Sequence, residues 1–163
     1  MNIRLRTMTE NEFVQFHKYS TNDYAKDLMK GQNIAWEEAI RQAEKEFLEM
    51  LPEGQDSKDN ALMIIEEITN GKSVGIIWYQ FEVTDEMKYA FLSDFVINEE
   101  ERRKGYATAA LFEMEQDAKK HGCTDIRLHV WKHNPSGINL YTKCGYSTFE
   151  QTDGGMYMKK IIK

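Results

Sequence analysis

The chain has 163 residues, of which 41% are hydrophobic, 29% charged and 12% aromatic, an ordinary globular mix that one domain over residues 1–163 would accommodate. A net charge of −6 argues against nucleic acid as a partner, because phosphate binding needs a basic stripe. No stretch approaches the ~18 apolar residues of a membrane span, and the first residues lack the apolar core of a signal peptide, so a cytoplasmic protein with no membrane partner is expected.

In chain order, Ile3–Arg6 reads as a short strand. Thr9 with Glu12 forms a capping box that should open a helix, running through Phe13, Phe16 and His17, with a break expected near Ser20–Asn22 before Tyr24–Met29. Trp36, Ala39, Ile40, Ala43 and Phe47 recur at helical spacing and predict a second amphipathic helix with Trp36 on its core stripe. Residues 52–60 form the one long polar connection. Leu62–Ile68 and Val74–Val83 are strand-like and flank the hairpin signal Asn70-Gly71. The second of these is apolar on both faces, as a central strand should be.

Tyr89–Ile97 is a further strand. Tyr106–His121 should be helical, ending at Gly122. Ile126–Trp131 is a strand, Ser136–Lys143 a short helix, and Tyr146–Gln151 with Met156–Ile162 a last hairpin across Asp153-Gly154-Gly155. The order β-α-α-β-β-β-α-β-α-β-β predicts an α/β (α+β) fold: a mixed sheet with helices on its faces.

Most familiar motifs fail. Asn70-Gly71-Lys72-Ser73 has the tail of a phosphate loop, but Glu66 stands where the earlier glycine is required. There is no GxGxxG after a strand, no GxSxG and no HExxH. The four histidines lack zinc spacing, so no metal is expected. Cys123 and Cys144 lack CxxC spacing and read as small, partly buried thiols.

One segment survives. The chain balances to −11 over residues 1–101 and to +5 over 102–163, and the swing begins at Arg102-Arg103-Lys104. There a strand ending in Asp94-Phe95-Val96-Ile97 passes through Arg102-Arg103-Lys104-Gly105-Tyr106-Ala107 into a helix. Small residues let the backbone approach a ligand, and unpaired first-turn N–H groups with the helix dipole make an anion site suited to a pyrophosphate. The alternative is a basic helix start with a solvated charge run. Downstream, Asn134-Pro135-Ser136-Gly137-Ile138-Asn139-Leu140-Tyr141-Thr142-Lys143-Cys144-Gly145-Tyr146 follows a strand.

These two segments, in this order, resemble the GNAT superfamily of acetyl-CoA-dependent N-acetyltransferases, with its [R/Q]xxGx[G/A] loop and later Asn…LY…G[F/Y] segment. The chain is similar in particular to the smaller YycN-like bacterial members. The resemblance is strong over residues 90–151 and covers the whole chain in element order. It implies the GNAT fold, a mostly antiparallel seven-stranded twisted sheet with helices on both faces, splayed between strands 4 and 5. One departure is Gly137, where the family often has alanine.

The resemblance also implies roles. Arg102, Arg103, Lys104, Gly105, Tyr106 and Ala107, with Thr108, would wrap the CoA pyrophosphate through backbone N–H groups. Phe95, Val96 and Ile97 would pair with the pantetheine arm through main-chain groups. Asn134 would touch the CoA arm, although an N-cap with Pro135 at the first helical position explains it equally. Tyr141 would protonate or hydrogen-bond the departing thiolate, its alternative being an aromatic packed on an amphipathic helix.

For the general base, Asp94 is the first candidate, with Glu82 and His129 behind it. A β-bulge would turn Asp94 toward the cleft; otherwise it is a structural carboxylate. Acetyl-CoA is then the co-substrate and an amine the acceptor, by direct attack. Residues 61–101 hold 9 acidic against 2 basic residues, which favours a cationic amine. The second class is an acyl-CoA-binding regulatory module of the same fold with little turnover. A homodimer is the base-rate expectation.

Overall fold

The computed structural model describes residues 2–163. They group into two compact units: residues 8–58, and a sheet unit of the N-terminal strand with residues 59–163.

The helical unit is an α-hairpin. Helix α1 (Glu10–Gln32) opens on the expected capping box: the Glu12 N–H donates to Thr9 Oγ1 at 3.2 Å, and the Thr9 N–H to Glu12 Oε1 at 2.9 Å. The helix does not break at Ser20–Asn22. Thr21 Oγ1 donates back to the His17 carbonyl at 2.9 Å, and both Ser20 and Thr21 are buried. The side-chain oxygen that could compete for the backbone is thus spent inside the helix. Asn33 closes α1 in the left-handed conformation (φ 53°).

Helix α2 (Trp36–Met50) buries Ala39, Ala43 and Phe47, and Ala25, Leu28, Ala39 and Ala43 form a small core between the helices. The small side chains let the two backbones approach. Phe47 meets Phe13 and Phe16 and stacks on His17 at 4.1 Å. The expected core role of Trp36 does not hold: at the first turn of α2 it stays 37% exposed. The connection after α2 contains a 3-10 turn at Gly54–Asp56 and is tied down by Ser57, whose hydroxyl donates to the Gly54 carbonyl at 2.7 Å.

The sheet unit has seven strands in the order β1-β2-β3-β4-β5-β7-β6. They are β1 (Ile3–Thr7), β2 (Asn60–Glu67), β3 (Lys72–Val83), β4 (Lys88–Ile97), β5 (Asp125–Trp131), β6 (Ser147–Gln151) and β7 (Gly155–Ile161). Every pairing is antiparallel except β4 with β5, because helix α3 (Tyr106–Lys120) carries the chain back between them. β3 lies between β2 and β4, as its two apolar faces require. Helix α4 (Pro135–Lys143) follows β5.

One core unites α3, through Ala110, Leu111, Met114 and Ala118, with Ile65, Ile77, Tyr79, Leu92, Ile126, Leu128 and Met158 from the strands. Ile138, Leu140, Tyr141 and Cys144 of the α4 segment pack against it. Both cysteines are free thiols, Cys123 buried and Cys144 half-buried.

Candidate active site

The parallel ladder between β4 and β5 runs from Tyr89–Asp125 to Leu92–Leu128 and ends there. Both strands continue: β4 reaches Ile97 on its β3 partners, and β5 reaches Trp131 on its β7 partners. The sheet therefore splits between them, and the split lies beside the segments singled out in the sequence.

A bulge sets what faces the split. Trp78 pairs with Asp94 and Tyr79 with Leu92, so Ser93 is an extra residue. Before it Ala90 and Leu92 enter the α3 core; after it Phe95 and Ile97 do. The alternation has slipped by one, which leaves Asp94 and Val96 on the opposite face. In β5, Ile126, Leu128 and Val130 enter the core, so His129 and Trp131 share Asp94's face. Asp94 and His129 thus lie just past the last pair of the ladder, one on each strand. Glu82 does not join them. It pairs with Tyr89 at the far end of β4 and is exposed, so it leaves the set of candidate bases.

The loop after β4 is held at several points. The Asn98 N–H donates to the Val74 carbonyl at 2.8 Å, and Asn98 Nδ2 to the Ser73 carbonyl at 3.2 Å. Residues Glu99–Glu101 make a 3-10 turn. Arg102 Nε donates to the Ile97 carbonyl at 3.0 Å, and Lys104 Nζ to Glu101 Oε2 at 3.1 Å. Two of the three expected cations are therefore engaged within the protein.

The candidate anion site is main chain. Arg103 (φ 61°) and Gly105 (φ 92°) are left-handed. Gly105 caps α3 with no side-chain hydrogen bond, and the first turn of α3 has no acidic residue, so its N–H groups remain available to an anion. The Tyr106 side chain turns inward, 8% exposed, with its hydroxyl 3.2 Å from Glu67 Oε2, so it offers the loop only its backbone. Ala107 packs against the core, and Thr108 lies in the same first turn.

Across the split, Asn134 is the N-cap of α4: its Oδ1 accepts from the Gly137 N–H at 3.0 Å, and Pro135 fills the first helical position. Gly137 is the family departure, and it has a local reason: a Cβ there would lie 2.5 Å from Asn134 Nδ2. Tyr141 is half-buried, edge-on to Tyr146 at 5.8 Å. Burial, then the nearby charge of Asp94, pushes its phenol well above the usual range. It is therefore a neutral hydroxyl at pH 7, able to donate.

His129 is fixed by Thr152 Oγ1 at 3.1 Å and lies edge-on to Trp131 and Tyr157, each at 4.9 Å. Burial holds its imidazole below the ordinary value. Sequence reasoning missed Glu101 and Lys72. The lone signal for Glu101 was its place in an acidic run beside a basic one.

Residues 22–146 match the acetyltransferase (GNAT) family model. The uncharacterized N-acetyltransferase YdgE of Bacillus subtilis (strain 168) is 32% identical over 149 residues, covering 90% of this chain and 93% of the relative. YycN of the same organism is 31% identical over 159 residues, 98% of this chain and 99% of the relative. The crystal structure of YycN superposes with a TM-score of 0.86 at 29% identity, covering 93% of this chain and 96% of that one. A spermidine N-acetyltransferase from Vibrio cholerae, in complex with CoA and spermine, shares the fold with a TM-score of 0.69 at 17% identity, covering 99% and 96% of the two chains. With its split parallel pair, its left-handed loop ahead of α3 and these relatives, the chain belongs to the GNAT family of acetyltransferases and is an acyltransferase.

Proposed function

We propose that this protein transfers the acetyl group of acetyl-CoA to the primary amine of a small molecule or peptide, by direct attack and with a preference for cationic acceptors. The observation that carries the reading is the split between β4 and β5, with an uncapped left-handed loop at its β4 end and the neutral Tyr141 hydroxyl on its other side. The residues present suit the cofactor. The loop offers backbone donors and no first-turn carboxylate to a diphosphate, and Phe95 to Ile97 offer strand edge to a pantetheine amide chain.

The thioester supplies an activated acetyl carbon, and the amine nitrogen attacks it as the carbon–sulfur bond breaks. Tyr141 gives its hydroxyl proton to the departing sulfur. Asp94, on the other face of the sheet, accepts the proton that the ammonium must shed before attack, directly or through water, and the acylated nitrogen then returns its second proton through water to the Tyr141 oxygen, which restores the phenol. The Asp94 charge also favours a cationic acceptor, as does the acidic balance of residues 61–101. The Vibrio cholerae relative holds spermine, a polycation.

Thermal unfolding with acetyl-CoA, NADH and ATP in parallel tests the cofactor. At about 100 times its Kd a ligand adds about 2.7 kcal/mol, a shift of several degrees. Thiol release across a panel of amines tests the acceptor. A shift with acetyl-CoA alone, and faster turnover with di- and polyamines than with neutral or acidic amines, is the expected result. No shift at millimolar acetyl-CoA would return the loop to an ordinary helix start.

A further inference from the structure

Under the loop lies a buried acid that the mechanism does not use. Glu101 ends the 3-10 turn with its side chain 5% exposed. Its two oxygens serve different parts of the fold. Oε1 accepts from Lys72 Nζ, at the start of β3, and Oε2 from Lys104 Nζ in the loop at 3.1 Å. Both lysines are half-exposed, so the carboxylate is the buried centre of a bridge joining the loop to a strand 29 residues earlier in the chain. The hydrogen bonds from the two ammonium groups hold the Glu101 carboxyl below the usual carboxylate range, and the Glu101 carboxylate in turn raises the Lys72 ammonium.

For a site that binds a polyanion this arrangement is paradoxical. A carboxylate beside the loop repels a diphosphate, and it also matches the charge of Lys104. A loop relying on charge alone would do better without it. The loop does need a fixed shape. Arg103 holds a left-handed backbone that a non-glycine residue adopts at a cost, and the anion donors are N–H groups whose direction depends on that backbone. Arg103 lies between two tethers, Arg102 Nε on the Ile97 carbonyl and Lys104 on Glu101.

We propose that Glu101 is a positioning residue for the cofactor loop: by bridging Lys104 to Lys72 it fixes the backbone donors, so that removing its negative charge weakens binding of the anionic cofactor. The inference rests on the reading that the loop takes the diphosphate of acetyl-CoA.

Titration calorimetry with acetyl-CoA on the wild type, E101Q, K72M and K72R decides it, together with steady-state kinetics in both substrates. E101Q and K72M should each weaken acetyl-CoA by roughly tenfold, the scale of one lost hydrogen bond to a charged group. The KM for acetyl-CoA should rise equally, while kcat at saturation and the amine KM stay within about twofold. K72R, which keeps the charge, should restore most of the affinity. A general loss of packing would instead lower kcat and disturb both KM values. K72M changes a half-exposed side chain outside the loop and reports even where E101Q folds poorly. Equal or tighter binding by both E101Q and K72M, as simple charge repulsion predicts, overturns the proposal. A wild type that does not bind acetyl-CoA overturns the cofactor reading itself.

Discussion

Beyond Leu92, β4 leans on β3 and runs into a loop whose candidate binding groups are main chain, shaped by two left-handed residues and an uncapped helix start and tethered by side chains turned inward. Beyond Leu128, β5 leans on β7, carries the ring-packed His129 and runs into α4, and the candidate groups on this side are side chains: the Asn134 cap, the neutral Tyr141 phenol and the His129 imidazole. Under the proposed function, one half of the split binds by shape and the other acts by functional group. Substitutions should therefore separate binding from turnover according to which half they touch.

The largest separation should come from Tyr141→Phe. Losing a proton donor costs on the order of a hundredfold in kcat, while calorimetry should find acetyl-CoA affinity nearly unchanged. Affinity and turnover falling together would mean that Tyr141 only packs. Gly105→Ala is the mirror experiment. A β-carbon at φ 92° costs about 1–2 kcal/mol, so acetyl-CoA should bind roughly tenfold more weakly with kcat at saturation retained.

Smaller effects test how α4 is held. Asn134→Ala should lower stability in urea by about 1 kcal/mol through the lost cap. Gly137→Ala, which helix propensity alone would favour by ~1 kcal/mol, should instead destabilise, because the new methyl displaces the Asn134 side chain. In the double variant the two losses should fall short of additive, since both act on one hydrogen bond.

The smallest effect is a pH slope. Burial lowers the His129 imidazole, so below its ordinary value the unfolded chain binds a proton that the folded chain does not. Its contribution is full above about pH 6.5 and is lost as pH falls through the lower folded value. His129→Gln should flatten the melting temperature between pH 7.5 and 5.5 relative to wild type. An unchanged slope would assign the acid sensitivity to other groups.

Much of this was legible in the residues because its physics is local. The Thr9–Glu12 box, the Gly105 helix start and the Asn134-Pro135 cap are closed within four residues. The order of strands and helices followed from hydrophobic period. The continuity of α1 through Ser20 and Thr21, and the exposure of Trp36, depended on which residues pack around them, so periodicity misread both.

The sequence by itself determined the element order, the caps and the left-handed turn that opens α3, since each needs only neighbouring side chains and backbone preferences. Tertiary structure alone decided the face of Asp94, because a period of two carries no phase across a bulge set by its pairing with Trp78 and Tyr79 of β3. It alone removed Glu82 from the site, by the antiparallel register that pairs it with Tyr89. And it alone joined Glu101 to Lys72, a contact across 29 residues that no local pattern encodes.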